Sequence, residues 1–344
     1  MSMRKIQFKN RTITDNSKPY FIAELNTSHF GDINIAKAMI KNAKLNGCDC
    51  IKLQSWTSDT LYSQNFYNEN PIAKKFIKKY SLNEKQILIL SNYCNKIKIG
   101  FSSTPYSEAE VDFLVHKCNA AFIKIASMDI NNHLFLKYIA KKNMPIVLST
   151  GMASTNEIDR AVTVIKKAGN SKICVLHCTS LYPTPEEIVN LKNISKLRQK
   201  FRNLIIGFSD HTLGNEAAIS SIALGARVIE KHFTLDKNRI GMDNQIALEP
   251  LEMKELIKKC NKSFLTLGIA EKKLSIDEKE QKKKMRRSVV AKYDIQKGTI
   301  IKLKDLNLKR PGTGIPADKI EKLVGKRTKK KILKDYLILY KDFK

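Results

Sequence analysis

The chain has 344 residues, 42% of them apolar, enough for one large core and a small satellite, and it holds no run of about 18 apolar residues that would cross a bilayer. Sixty-two Lys and Arg against 33 Asp and Glu give a formal charge of +29. The basic residues are spread along the whole chain without an interleaved aromatic platform, so nucleic acid is not the expected partner despite the runs Lys282–Arg287 and Lys326–Lys331.

The predicted elements begin at residue 20 and alternate to about residue 268. Tyr20–Leu25, Cys50–Gln54, Ile99–Ser103, Ala121–Ala126, Ile146–Ser149, Cys174–Cys178, Ile205–Ser209 and Val228–His232 read as eight short buried strands. Between them, Ile35–Leu45, Leu82–Tyr93, Ala109–Val115, Leu134–Ala140, Ile158–Ala168 and Ala217–Leu224 carry apolar residues at three and four spacing, the mark of helices with one buried face. Eight strand-helix units in about 250 residues predict an α/β TIM (β/α)8 barrel; a doubly wound open sheet shares the cadence. Past residue 270 helical periodicity stops. A basic, apolar-poor linker over 271–286 leads to a second module over 287–344. There Ser288–Ala291, a turn at Asp294–Gly298 and the Gly/Pro-broken Leu308–Gly314 predict a small, mostly β domain.

The strand ends carry chemistry. If the barrel closes, Glu24, Lys52, Gln54, Ser103, Thr104, Lys124, Ser127, Asp129, Ser149, Thr150, His177, Thr179, His211 and His232 converge on one mouth. Lys52 and Lys124 sit inside apolar runs, where an ammonium is costly unless an anion meets it. An internal ion pair, Lys52 with Glu24, is one solution. A clamp for the phosphate and carboxylate of one small substrate, assisted by nearby hydroxyls, is the other. His211 and His232 each follow an apolar run, and two imidazoles leaving neighbouring strands can hold a divalent metal. The plainer alternatives are that Ser209-Asp210 caps the helix beginning near Gly214, leaving His211 a loop residue, and that His232 is a core histidine bonded to Glu230.

Seven cysteines, an odd number mostly in core segments, read as reduced thiols. Met1–Asn10 is too polar for a secretory signal, and the expectation is a soluble cytoplasmic enzyme.

The segments Ile22-Ala23-Glu24, Ile51–Gln54, Ser103-Thr104-Pro105, Ile123–Ser127, Leu148–Met152, Leu176–Thr179 with Tyr182–Pro185, Gly207–Thr212, Glu230–Thr234 and Lys309–Gly312, in that order, resemble the sialic acid synthase family nearly end to end. The resemblance implies condensation of phosphoenolpyruvate with an N-acylated hexosamine, a divalent metal (Mn2+ or Mg2+), and an antifreeze-like (SAF) domain at the C-terminus. It also implies a homodimer in which that domain covers the partner's barrel. Carried over by residue, it assigns His211 and His232 to the metal. It assigns Lys52, Ser103, Thr104, Lys124, Ser127 and Ser149 to phosphoenolpyruvate, and Gln54, Ser180, Tyr182, Asp243 and Arg310 to the amino sugar. Glu24, Asp129 and Glu230 become the catalytic carboxylates. Three positions depart from the pattern: Asp129 stands for a glutamate, Ser180 for an asparagine, and Asn26–His29 replaces Gly-x-Asn-His. All three lie on the acceptor side. N-acetylmannosamine, giving N-acetylneuraminate, is placed first as acceptor, with a 2,4-diacetamido-trideoxyhexose (pseudaminic or legionaminic acid synthesis) as the alternative.

Overall fold

The structure, a computed structural model, describes residues 4–9 and 11–344. The chain forms two compact units, Met1–Gly268 and Ile269–Lys344. In the first, strands β1 (Lys5–Phe8) and β2 (Arg11–Thr14) pair as an antiparallel hairpin, and eight parallel strands follow. These are β3 (Tyr20–Glu24), β4 (Cys50–Gln54), β5 (Gly100–Thr104), β6 (Ile123–Ile125), β7 (Ile146–Ser149), β8 (Ile173–Cys178), β9 (Ile205–Asp210) and β10 (Val228–His232). They close in the order β10-β3-β4-β5-β6-β7-β8-β9. The predicted barrel therefore forms, and the open-sheet alternative is ruled out.

Closure splits the apolar residues by the two-residue period of each strand. Phe21, Ala23, Ile51, Leu53, Ile206, Phe208 and Ile229 face outward into the layer shared with the helices. Tyr20, Ile22, Cys50, Phe122, Val147, Leu176 and Val228 face inward and fill the barrel's lower half. Ile6, Phe8 and Ile13 of the hairpin pack onto that inner cluster, with the Phe8 and Phe122 rings 4.8 Å apart. The barrel interior is thus filled toward its N-terminal end, and polar side chains take over toward the strand C-termini. The hairpin is not legible in the sequence because its strands are four residues each, too short for a clear period.

The helices start where the local chemistry allows. Asp32 caps Ile33–Leu45, accepting from Asn34 and Ile35 N–H, and Ser154 with Glu157 forms a capping box on Thr155–Lys167. Four helices of the first unit lie outside the predicted set and complete the ring or its insertions: Gln64–Glu69, Pro71–Tyr80, Lys192–Lys200 and Pro250–Thr266. The segment around Pro71–Tyr80 builds its own small core of Trp56, Tyr67 and Ile77 beside the β4 end.

The second unit pairs β11 (Ser288–Ala291) with β12 (Leu306–Lys309) antiparallel around Val289, Ile295, Ile301, Leu323 and Ile338. The stretch expected as a bare linker contains a helix, Ile276–Met285, with no buried residue. Its absence of apolar period hid it. It is held by its ends instead: Ser275 caps it, Asp277 and Glu278 sit in the first turn, and Lys282–Lys284 in the last, each complementing the helix dipole.

Candidate active site

The polar residues at the strand C-termini line a cavity of about 360 Å³, within the usual range for small-ligand sites. It contains Glu24, Lys52, Gln54, Thr104, Lys124, Ser127, Ser149, Ser180, Tyr182, His211, Glu230, His232 and Asp243. Strand register explains the convergence: His232 pairs with Glu24, Glu24 with Lys52, and Lys52 with Ser102, all pointing inward at one level. A groove of about 540 Å³ runs alongside, between the helices Thr155–Lys167 and Lys192–Lys200, but no carboxylate lines it. Size therefore does not identify the site; the paired acids and bases do.

Four charges form the floor. Lys52 Nζ is in direct contact with Glu24 Oε2, donates to Thr104 Oγ1 at 3.1 Å and lies 3.8 Å from Glu230 Oε1; Lys124 Nζ reaches the same Glu230 oxygen at 3.2 Å. The internal Lys52–Glu24 pair is therefore real, and it belongs to the cavity. Glu24 Oε1 also accepts the Asn26 backbone N–H at 2.7 Å, which fixes the carboxylate. Burial pulls the Lys52 ammonium down to about 7, with Glu230 pushing back. Burial alone would raise Glu230, but Lys124 and Lys52 hold it below the usual carboxylate range. Glu230 Oε2, Ser149 Oγ and Asn26 Oδ1 are buried without a hydrogen-bond partner. Unsatisfied buried polar atoms are costly, and three at one cavity mark groups waiting for a ligand.

Beside these charges, the His211 and His232 rings lie tilted to each other with centroids 5.5 Å apart, and the Tyr182 ring lies against His211 at 4.2 Å. His211 donates Nδ1–H to the Thr179 carbonyl at 2.8 Å, which leaves Nε2 to bind a ligand whenever the ring is neutral; burial disfavours its charge, but Cys178, the Thr179 carbonyl and Glu230 hold its pKa above the usual histidine value. Burial, reinforced by His211 and three lysines, holds His232 far below the normal histidine pKa, so it is neutral. Asp243 Oδ2 lies 4.0 Å from His232 Nδ1 and accepts from Asn26 Nδ2. Two neutral-capable imidazoles with a carboxylate beside them fit a hard divalent cation that takes its remaining ligands from substrate and water. Among the described residues, no three His, Cys, Asp or Glu side chains close into a complete protein ligand set.

One side chain has its orientation dictated by its neighbours. Trp56 Nε1, which can only donate, reaches Gln54 Oε1 at 3.0 Å, and the Tyr106 hydroxyl reaches the same oxygen at 2.9 Å. Burial pushes the Tyr106 phenol up, so it stays protonated and donates. The Gln54 carbonyl is thereby used up, and its NH2 is what the cavity receives.

Several expected residues are placed elsewhere. Ser103 is one step out of phase with Lys52 and Thr104; it faces the helix layer and bonds Ser55 Oγ at 2.6 Å. His177 is likewise outward, its Nε2 on the Val189 carbonyl at 2.6 Å. Asp129 sits on a short 3-10 turn, half-buried and outside the cavity lining, 3.4 Å from Asn132 Nδ2. Arg310 lies in the second unit and is exposed. Asp210 does not cap the following helix: its Oδ1 takes Thr212 N–H and hydroxyl at 2.9 and 2.8 Å. Trp56, Tyr62, Tyr106, Cys178 and Met242 line the cavity without having been singled out for it, and Asn26, named only as a departure from the family pattern, lines it too. Strand parity identifies Cys178, two and four residues from the inward Leu176 and Cys174; the loop residues carry no such periodic signal. Gly151 serves the site by its bareness, since a Cβ there would collide with Ser127 Oγ and Ser180 Oγ.

A closed (β/α)8 barrel with buried lysine–carboxylate pairs beside two imidazoles at its C-terminal mouth has the layout of an enzyme, and comparisons with known proteins give its family. The NeuB family model matches residues 39–272 and the SAF domain model residues 286–344. The chain belongs to the NeuB family of nonulosonic acid synthases and carries a C-terminal SAF domain. It is 39% identical over 332 residues to the N,N'-diacetyllegionaminic acid synthase of Campylobacter jejuni, covering 93% of this chain and 99% of that one. It is 35% identical to the human N-acetylneuraminate-9-phosphate synthase over 90% of this chain and 88% of that one. The crystal structure of the Leptospira borgpetersenii N-acetylneuraminic acid synthetase superposes with a TM-score of 0.75 at 33% identity, covering 81% of this chain and 95% of that one. No helix among the described residues is long and apolar enough to cross a membrane.

Proposed function

We propose that the barrel condenses phosphoenolpyruvate with an unphosphorylated, N-acylated hexosamine, releasing phosphate. The observation that carries this reading is the floor quartet: two buried ammoniums, Lys52 and Lys124, held by Glu24 and Glu230 beside the free hydroxyl of Ser149. A trianion entering there finds charge-assisted donors already positioned, which is the condition for stabilising a departing phosphate. Lys124, Lys52, Thr104, Ser127 and Ser149 bind the phosphate and carboxylate. Ser103 is left out of that set because it faces away.

A bound Mn2+ or Mg2+ on His211 and His232 would polarise the acceptor's aldehyde oxygen as a Lewis acid. The remaining work falls to side chains. Carbon 3 of phosphoenolpyruvate bonds to the aldehyde carbon. Water then adds at carbon 2, and the carbon–oxygen bond to phosphate breaks, leaving a ketone. Glu230, whose Oε2 is unpaired, takes the proton of that water; Lys52, poised near neutrality against Glu24, supplies the proton for the new hydroxyl. Asp129, outside the lining, is a weaker candidate for base than Glu230.

The acceptor end supports a sugar without phosphate. The only cations lining the cavity among the described residues are the two floor lysines, both already engaged. The rim is apolar instead: Tyr62, Met128, Met152, Tyr182 and Met242 are each more than 40% exposed. Such a rim suits acetamido methyls and a deoxygenated carbon 6, so we place a 2,4-diacetamido-trideoxyhexose ahead of N-acetylmannosamine. The legionaminic acid synthases of Campylobacter jejuni and Legionella pneumophila, 39% and 37% identical, support the same order. N-acetylmannosamine is the second reading, supported by the Leptospira structure. We further propose, from the family resemblance, that the enzyme is a homodimer and that Arg310 contacts the sugar.

Phosphate release, measured separately with each acceptor at fixed phosphoenolpyruvate and Mn2+, tests the assignment. The higher kcat/KM is expected for the diacetamido sugar; a higher value for N-acetylmannosamine reverses the order, and release with the 6-phosphate alone refutes the unphosphorylated acceptor.

A further inference from the structure

The outward side of the two histidine strands holds a charged pair that the proposed chemistry does not use. Lys231 and Asp210 are adjacent register partners on β10 and β9, 1% and 0% exposed, in the layer between sheet and helices. Lys231 Nζ donates to Asp210 Oδ2 at 2.8 Å and to the Thr212 carbonyl at 2.6 Å. Asp210 Oδ1 accepts the Thr212 backbone N–H and hydroxyl at 2.9 and 2.8 Å. Each member of the pair is the chain neighbour of an inward-facing histidine: Asp210 precedes His211, and Lys231 precedes His232.

A buried ion pair contributes little net stability compared with apolar residues of similar volume, because desolvation offsets its attraction. This one ties β10 to a loop that has left the sheet: β9 ends at Asp210, and beyond it the backbone is held by the Thr184 N–H on the His211 carbonyl at 2.9 Å and by this pair at Thr212. The bonds to the N–H and the C=O of Thr212 fix the peptide groups on both sides of that residue from the outside, while the His211 ring is fixed from the inside by Thr179.

We propose that Lys231 and Asp210 are positioning residues that set the separation of the His211 and His232 rings, and so the affinity of the histidine pair for a divalent cation. The inference rests on the metal reading above. Loss of such a supporting shell typically costs 10–100-fold in metal affinity.

The test uses the full chain, stripped of metal and titrated with Mn2+ while the signal of the free ion is followed by electron paramagnetic resonance. Lys231→Met alone leaves a buried carboxylate unpaired and can unfold the barrel. The working variant is therefore Lys231→Met with Asp210→Asn, whose amide oxygen still serves Thr212. Trp56, the chain's one tryptophan, lines the cavity and reports phosphoenolpyruvate binding without metal. The expected result is a folded variant with an Mn2+ dissociation constant raised at least about 10-fold and phosphoenolpyruvate affinity within about 2-fold of the parent. Unchanged Mn2+ affinity, or an equal loss for phosphoenolpyruvate, overturns the positioning role. A parent protein that takes up no Mn2+ refutes the metal reading itself, and the proposal with it.

Discussion

Gln54 offers a sharp perturbation, because its carbonyl is engaged by two donors and its amide N–H groups are the part left to the cavity. Gln54→Glu is isosteric and preserves both bonds, from Trp56 Nε1 and from the Tyr106 hydroxyl, since a carboxylate oxygen accepts them equally. What it removes is the donor. If that donor meets an acyl carbonyl or hydroxyl oxygen of the sugar, the variant loses a hydrogen bond worth about 1 kcal/mol and sets two acceptors against each other, at about 1–3 kcal/mol more. The sum of about 2–4 kcal/mol is roughly a 30- to 1000-fold drop in kcat/KM for the sugar. In the proposed placement phosphoenolpyruvate binds on Lys52 and Lys124 and not on Gln54, so its dissociation constant, read from Trp56 fluorescence, should move much less than the sugar's kcat/KM, the added carboxylate charge acting only at a distance. The assay is phosphate release with sugar varied at saturating phosphoenolpyruvate. Sugar kcat/KM within 3-fold of the parent, or a matching loss of phosphoenolpyruvate affinity, would show that Gln54 does not present a donor to the acceptor. Tyr106→Phe, which frees one lone pair and lets the amide turn, should give a smaller loss of the same kind.

Lys124→Met removes a charge-assisted donor worth about 1.5–3 kcal/mol, so phosphoenolpyruvate affinity should fall roughly 10- to 150-fold, with sugar KM less affected; fluorescence titration checks it. His232→Ala should abolish turnover and Mn2+ uptake while the metal-free melting temperature stays within a few degrees, and a variant that retains full activity excludes His232 as a ligand. His29, buried with Nδ1 accepting the Gly31 N–H at 3.0 Å, has its pKa lowered to about 4, chiefly by burial. The unfolded chain takes up this proton near pH 6.5 and the folded one near 4, so stability is lost as pH falls across that window, by up to about 3 kcal/mol. Denaturant melts at pH 7 and pH 4.5 should show a smaller difference in His29→Gln than in the parent.

The barrel was legible because fully buried parallel strands carry dense apolar runs and their helices a clean three-four period. What the period could not supply was phase at the strand ends. Ser103 and Thr104 are neighbours of the same chemical kind, yet only Thr104 shares the inward parity of Lys52; the register, not the residue type, decides between them. His177 was misplaced for the same reason, while Lys52, Lys124, Glu230 and His232 stood out because charge inside an apolar run demands an explanation. The aromatic wall of Trp56, Tyr62 and Tyr106 was out of reach, since its place depends on how the insertion around residues 55–80 folds back on its own small core. Helix Ile276–Met285 was missed because it buries nothing, leaving only caps and end charges as a signal.

The central claim is that this barrel joins the three carbons of phosphoenolpyruvate to an amino sugar and expels phosphate by carbon–oxygen cleavage. Mass spectrometry of the products formed from phosphoenolpyruvate labelled with heavy oxygen at its bridging position, with Mn2+ and a 2,4-diacetamido-trideoxyhexose or N-acetylmannosamine, tests it in one measurement. The expected products are a nonulosonic acid carrying all three added carbons and one phosphate per acid, with the label in the phosphate. Label retained in pyruvate, with no carbon added to either sugar, would contradict it.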